Sequence, residues 1–268
     1  MASPYHLTGL FVYPIKSLGG ISLPRWRVGD RGLHLDRRWM LVDEAGRFLS
    51  QRELPGMARL SLSLRGDELL VQHRHEDREP LLIPSEPETD IWLTAQIWDD
   101  QVLVQAVSPL ADAWFTETLG RPCRLVYQPD TSHRPVDPRY ARGQEGVSLA
   151  DGYPTLIIGE ASLQDLNDRL AQPVPMDRFR PNLVFSGGEA HDEDTWTSLQ
   201  LGPITFYPVK PCARCQVVTT DQATGARSPE PLRTLSTYRR QAHKVLFGMN
   251  LLHEGDGDIA VGMPLVTS

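Results

Sequence analysis

The sequence predicts a mostly β protein with a few helices, of the α+β kind, and three observations carry that prediction. Short runs of β-branched and aromatic residues recur between turns marked by Gly, Pro and Asp, as in strands joined by tight connections. Leu60, Leu62 and Leu64 alternate with Ser61 and Ser63, the period of a half-buried strand. Helical spacing is confined to three stretches, so the first part of the chain reads as a β-barrel-like module.

The elements follow in order. Leu7 to Ile15 is a strand ending at Tyr13-Pro14-Ile15-Lys16-Ser17-Leu18-Gly19-Gly20, where Pro and the Gly pair force a loop. Lys16 and Ser17 there either hold an anion or are simply solvated. Arg25 to Val28 is a short strand. Arg37 to Asp43 is another, turned back by Glu44-Ala45-Gly46 into Arg47-Phe48-Leu49 as a hairpin. Leu60 to Leu64 and Leu69 to Val71 pair around Arg65-Gly66-Asp67. His73 and His75 share one strand face, but no third ligand converges by spacing, and they read as caps of a strand end. Ile91 to Leu93 and Val102 to Val104 continue the strands.

Ser108 and Pro109 open a helix as N-cap and first residue, Leu110, Trp114 and Phe115 give its apolar face, and Gly120 closes it. Cys123 starts a strand through Tyr127 and reads as buried and inert. Gln128 to Gln144, rich in Pro and Arg, reads as a long surface loop. Asp151-Gly152-Tyr153-Pro154 is a turn into the buried strand Thr155 to Ile158. A helix follows with Leu163, Leu166 and Leu170 inward, and then the strand Leu183 to Phe185. Arg180 and Asn182, two apart on extended chain, would point the same way. Leu201 to Val209 is a strand, Ser228-Pro229 opens a helix with Leu232, Leu235 and Tyr238 inward, and Val245 to Leu252 and Ile259 to Val266 close the chain as strands.

Chemistry concentrates in Lys210-Pro-Cys-Ala-Arg-Cys-Gln-Val-Val-Thr-Thr-Asp221. Val217 to Thr220 reads as a β-strand on its β-branched residues, with the cysteines at its start. Arg214 and Lys210 beside them favour the thiolate, the form that attacks or binds metal. A structural zinc site needs four ligands, whereas Cys123 is alone and His191 and His243 form no pair. A thioredoxin dithiol opens a helix, and this one runs into β-branched residues. Spacing leaves two readings open. One thiolate holds a soft transition metal or metal cofactor, or two half-buried cysteines carry no chemistry.

Composition narrows the classes. Hydrophobic content of 40% and charged content of 23% over 268 residues suit a soluble globular chain. A net charge of −7 argues against a nucleic-acid partner, so any anion site must be a local Arg and Lys cluster. No apolar run reaches membrane-spanning length, and Met1 to His6 lacks the features of a signal peptide. Three cysteines argue against a disulfide scaffold and for a reducing cytoplasm.

Four stretches together resemble the MOSC-domain proteins, and most of all the mitochondrial amidoxime-reducing component and its bacterial relatives. They are Tyr13 to Ser17, Asp36 to Val42, Arg178 to Gly187, and Cys212-Ala-Arg-Cys215 with Thr219-Thr220-Asp221 and Gly225. The resemblance runs from Leu7 to Val266. It implies an N-terminal β-barrel region, residues 1–122, and a MOSC β-barrel domain, residues 123–268. Molybdenum on a pterin cofactor would sit at their seam. By the same resemblance Cys215 is the metal ligand, with Cys212 near but not ligating. Lys16, Ser17, Arg37, Arg180, Asn182, Ala213 and Arg214 bind cofactor. Asp151 and Tyr153 border the metal, Asp151 as a catalytic residue and Tyr153 where relatives carry a smaller side chain. The implied activity is reduction of small N-hydroxylated substrates. The alternative is a non-redox carrier of cofactor or sulfur, like the end of cofactor sulfurases. No hydrophobic N-terminal anchor and no C-terminal Cys-x4-Cys-x2-Cys cluster segment are found. Both absences lead to the expectation of a soluble enzyme fed by a separate ferredoxin-, flavoprotein- or cytochrome-type donor.

Overall fold

A closed barrel of seven strands dominates the second half of the computed structural model, which describes residues 5–268. Residues 1–4, part of the stretch inspected above for a signal peptide, lie outside them. Around the barrel run Thr155–Gly159, Leu183–Ser186, Tyr5–Val12, Pro264–Thr267, Leu199–Leu201, Ile204–Arg214 and Lys244–Glu254, which pairs back onto Thr155–Gly159. Closure leaves no open edge. The parallel pair, Thr155–Gly159 beside Leu183–Ser186, is bridged by the helix Glu160–Asn167, as a parallel crossover requires.

The other module holds a four-stranded sheet and a three-stranded one. The first orders Trp39–Val42, Arg124–Tyr127, Asp100–Ala106 and Trp92–Ile97. The second orders Leu60–Arg65, Glu68–His73 and Leu81–Ile83. The helix Pro109–Leu119 packs on this module with the expected cap. Ser108 Oγ accepts from the Ala111 amide at 3.2 Å, and Gly120 closes the helix at φ 64°. Phe115 is fully buried, but Leu110 is exposed, so the apolar face is narrower than its three apolar residues suggested.

The modules exchange strands. The first strand lies in the barrel, whereas Arg124–Tyr127 lies in the four-stranded sheet. Leu7, Leu10 and Val12 join the barrel core with Phe185, Phe206 and Leu251. Three residues later Ile15 and Leu18 are buried in the other core, with Trp39, Leu60 and Phe115. The segment Tyr13 to Ser17 is therefore the crossing between two cores, which sets Lys16 and Ser17 at the seam.

Several elements differ from expectation. Val217 to Thr220 is no strand: Gln216–Thr219 is a 3-10 turn. Val218 packs in a cluster with Phe179, Leu235 and Phe247, and Thr219 Oγ1 donates to the Gln216 carbonyl at 2.7 Å. Packing and local hydrogen bonds override β propensity there. The strand lies before the cysteines instead, since Ile204–Arg214 carries Cys212 and ends one residue short of Cys215. Its register slips at Pro208/Lys210 and at Pro211/Ala213, where proline has no N–H for the ladder.

The last long helix is Leu232–Tyr238, begun by Pro231 rather than Ser228, and Leu170 lies beyond the end of its helix. Arg180 is left-handed, φ 54°, and not extended. Residues 128–144 have no regular secondary structure, but Gln128, Ser132, Arg134 and Val136 are buried, so the segment threads into the molecule. Cys123 is half-buried, and burial raises its thiol pKa. His73 and His75 were expected to cap an exposed strand end, but His73, the last residue of Glu68–His73, is buried, its Nδ1 accepting from the Glu76 amide at 2.8 Å, and His75 lies beyond the strand.

Candidate functional site

A cavity of about 290 Å³ opens at the seam. From the first module it is lined by Lys16, Ser17, Arg37, Phe48, Ser50 and Arg52. From the second come Asp151, Tyr153, Arg178, Arg180, Asn182, Lys210 and the run Cys212 to Cys215. All ten residues singled out in the sequence, Lys16, Ser17, Arg37, Asp151, Tyr153, Arg180, Asn182, Ala213, Arg214 and Cys215, face this one space.

Backbone geometry builds the first wall. The Lys16 amide donates to the Trp39 carbonyl at 2.8 Å, and the Arg37 amide donates to the Tyr13 carbonyl at 2.9 Å. Ser17, Arg37 and Arg180 have φ of 70°, 49° and 54°, unusual for side chains larger than glycine. Strain of this kind collects where the surroundings over-determine a site.

Tyr13 organises the arginines. Arg37 and Arg180 each lie 4.3 Å from its ring. Its hydroxyl donates to the Pro181 carbonyl at 3.1 Å, and burial pushes its pKa up to about 12. Burial pulls Arg180 down to about 10, so it stays charged at neutral pH. Asp36, almost fully buried, receives Arg37 Nη1 at 2.6 Å, the Tyr13 amide at 2.8 Å and Asn182 Nδ2 at 3.0 Å. Burial raises its pKa and Arg37 opposes the shift. Asn182 completes the lattice: Nδ2 also donates to the Phe11 carbonyl, and Oδ1 accepts from Arg37 Nη1 and the Leu156 amide.

Asp151 sits at the cavity's edge. Lys16 Nζ is 2.7 Å from its Oδ1 and 2.9 Å from the Leu149 carbonyl. Burial lowers the Lys16 pKa, and Asp151 opposes the change. For Asp151 desolvation works upward, but Lys16, Arg52 and the Trp98 indole N–H outweigh it and hold the carboxyl below its ordinary value. Buried Arg134 fixes this loop, donating to the Ser148 carbonyl at 3.0 Å and the Ala150 carbonyl at 2.6 Å. That is the work of the Pro- and Arg-rich segment, which the sequence presented only as a loop.

On the far wall Arg214 Nη1 donates to Cys212 Sγ at 2.9 Å and Nη2 to the Phe179 carbonyl. Cys212 thus points into a protein contact, whereas Cys215 is exposed. Lys210 lies 4.3 Å from the Tyr140 ring and 5.5 Å from the Tyr153 ring. Arg178 pairs with Asp221 at 2.8 Å, which ties the end of the cysteine motif to the Arg178 to Asn182 segment.

Sequence reasoning missed Tyr13, Asp36 and Arg52 as site residues. Tyr13 and Asp36 lie inside motifs already noted, next to Pro14 and Arg37, and Arg52 gave no signal.

Seven basic side chains, Lys16, Arg37, Arg52, Arg178, Arg180, Lys210 and Arg214, line the cavity against one carboxylate, Asp151. On a chain of net charge −7 this is a local anion site. Arg178 Nε and Nη1, Arg180 Nη2 and Arg214 Nε are buried with no protein partner. Unused donors of that kind fit a ligand bearing phosphate and ring acceptors.

The fold and the cavity define a β-barrel protein with a basic cleft between two modules. Residues 5–122 match the MOSC N-terminal beta barrel domain and residues 144–266 match the MOSC domain, and the chain belongs to the MOSC family. It is 31% identical over 276 residues to human mitochondrial amidoxime-reducing component 1, covering 96% of this chain and 81% of that protein. It is 33% identical over 271 residues to a molybdenum cofactor sulfurase of Oryza sativa subsp. japonica and 34% identical over 277 residues to one of Arabidopsis thaliana. Those matches cover 94% of this chain but 33% of each sulfurase, so the chain spans about a third of their length. Among the described residues no helix is long and apolar enough to cross a membrane.

Proposed function

We propose that this protein is a molybdenum-cofactor-dependent reductase of small N-hydroxylated compounds such as amidoximes, hydroxylamines and N-hydroxylated bases, supplied with electrons by a separate redox protein. The observation that carries this reading is the shared cavity, where exposed Cys215 faces the same space as seven basic side chains. Lys16, Ser17, Arg37, Arg180, Asn182, Ala213 and Arg214 would hold the pterin and its phosphate, with Tyr153 at the border. Cys215 would give the metal one soft ligand and leave other positions open. When bound, the cofactor supplies a two-electron, oxygen-accepting couple. The overall change, N–OH with two electrons and two protons giving N–H and water, balances.

The chain's own residues suit that change. Asp151, kept ionised by Lys16, accepts a hydrogen bond and orients the N–OH group at Oδ. Lys16 Nζ, made more acidic by burial, stands beside it as a proton source.

A second reading, a non-redox carrier of cofactor or sulfur, draws on the similarity to the sulfurases. The greater share of the amidoxime-reducing component that the chain spans, 81% against 33%, supports the reductase. The test is molybdenum content of protein made in a cofactor-competent host, followed by benzamidoxime reduction with a chemical reductant. Metal with turnover supports the reductase, metal without turnover supports the carrier, and no metal contradicts both.

A further inference from the structure

The hairpin between Trp92–Ile97 and Asp100–Ala106 turns through two residues, Trp98 and Asp99. Trp98 has φ 56°. At the first position of a two-residue hairpin that conformation normally belongs to glycine, and a bulky side chain adopts it at a cost. Burial does not offset that cost, because Trp98 is 47% exposed.

The ring is nonetheless fixed. Its indole N–H donates to Asp151 Oδ1 at 3.2 Å, the Arg52 guanidinium lies 4.3 Å from the ring, and Phe48 meets it edge-on at 5.2 Å. All three neighbours line the seam cavity. Trp98 itself lines an adjoining cavity of about 370 Å³, which shares Asp151, Gly152, Tyr153 and Lys210 with the first. A large aromatic surface held by three contacts in a strained turn, and joined to Asp151, the one carboxylate of the seam cavity, is built like a ligand platform.

We propose that Trp98 is a specificity-determining residue that stacks the planar, conjugated part of an N-hydroxylated substrate in the adjoining cavity, with the N–OH end held at Asp151. This rests on the reductase reading. The substrate class it names is aromatic or heteroaromatic N-hydroxylated compounds, in preference to small aliphatic ones, which have no π face to stack.

The test compares cofactor-loaded wild type, Trp98→Gly and Trp98→Phe. Glycine suits the turn, so Trp98→Gly should fold, and phenylalanine keeps a stacking face while losing the N–H to Asp151. The readout is the ratio of kcat/KM for benzamidoxime to that for acetamidoxime. Stacking by one ring predicts a fall of about tenfold or more in Trp98→Gly and a ratio near wild type in Trp98→Phe. A ratio unchanged in Trp98→Gly would overturn the proposal, as would an equal fall in both variants. If wild type reduces neither compound, the reductase reading fails, and equilibrium dialysis of the same two compounds decides on Trp98. A binding preference for benzamidoxime that disappears in Trp98→Gly supports the platform, whereas no preference, or one that persists in the variant, overturns it.

Discussion

The Lys16 ammonium meets the Asp151 carboxylate at 2.7 Å across 135 residues of sequence, joining the two modules at the rim of the basic cavity. The pair is asymmetric, with Lys16 7% exposed and Asp151 66% exposed. Removing the carboxylate leaves a buried ammonium with the Leu149 carbonyl, whereas removing the ammonium leaves a carboxylate in water. Asp151→Asn should therefore cost about 1 kcal/mol, and Lys16→Met, apolar and of similar length, should cost less. Urea midpoints of the two variants check the order.

The same pair gives a pH dependence. Lys16, Arg52 and the Trp98 indole N–H hold the folded Asp151 carboxyl below the usual aspartate range. The unfolded chain therefore takes up the proton first as pH falls, and the stabilisation, complete above about pH 4, is lost through the acid range below it. Asp151→Asn removes that share, so its stability should fall less steeply on acidification than that of wild type.

Tyr13 carries two guanidinium groups on its ring and one hydrogen bond at its hydroxyl. Tyr13→Phe should cost about 1 kcal/mol for the bond to Pro181. Tyr13→Ala should cost about 3–5 kcal/mol, through the lost ring and the unsupported Arg37 and Arg180. Denaturant titration separates the two.

Gln51 and Gln222 form a reciprocal buried amide pair, each Nε2 2.9 Å from the other's Oε1. Gln51 Nε2 also holds the Ser17 carbonyl at 2.8 Å, and Gln222 Nε2 the Thr220 carbonyl at 3.1 Å. The pair fastens the loop after Cys215 to the loop of Lys16 and Ser17. Gln51→Leu leaves Gln222 short of partners, and amide exchange at residues 220–227 should quicken, with about 1–3 kcal/mol of stability lost.

Much of the fold was legible because its signals are local. The alternation of Leu60, Leu62 and Leu64 and the Ser108-Pro109 cap need no distant partner to act. Val217 to Thr220 was misread because β propensity is a packing preference, and here packing with Phe179 and Phe247 favours a tight turn. The site was legible in its motifs but not in its joints. Arg134, Gln51 and Asp36 act through partners 14 to 171 residues away, which no spacing reveals. Trp98 was invisible as a turn residue because two-residue hairpins seldom put tryptophan where glycine fits.

In the proposed reductase, exposed Cys215, and not Cys212 with its sulfur hydrogen-bonded to Arg214, would hold the metal. The most direct test is molybdenum per protein in Cys215→Ser and Cys212→Ser, prepared alongside wild type from the same cofactor-competent host. Metal should be lost from Cys215→Ser and largely kept by Cys212→Ser. Equal retention in both variants would contradict it.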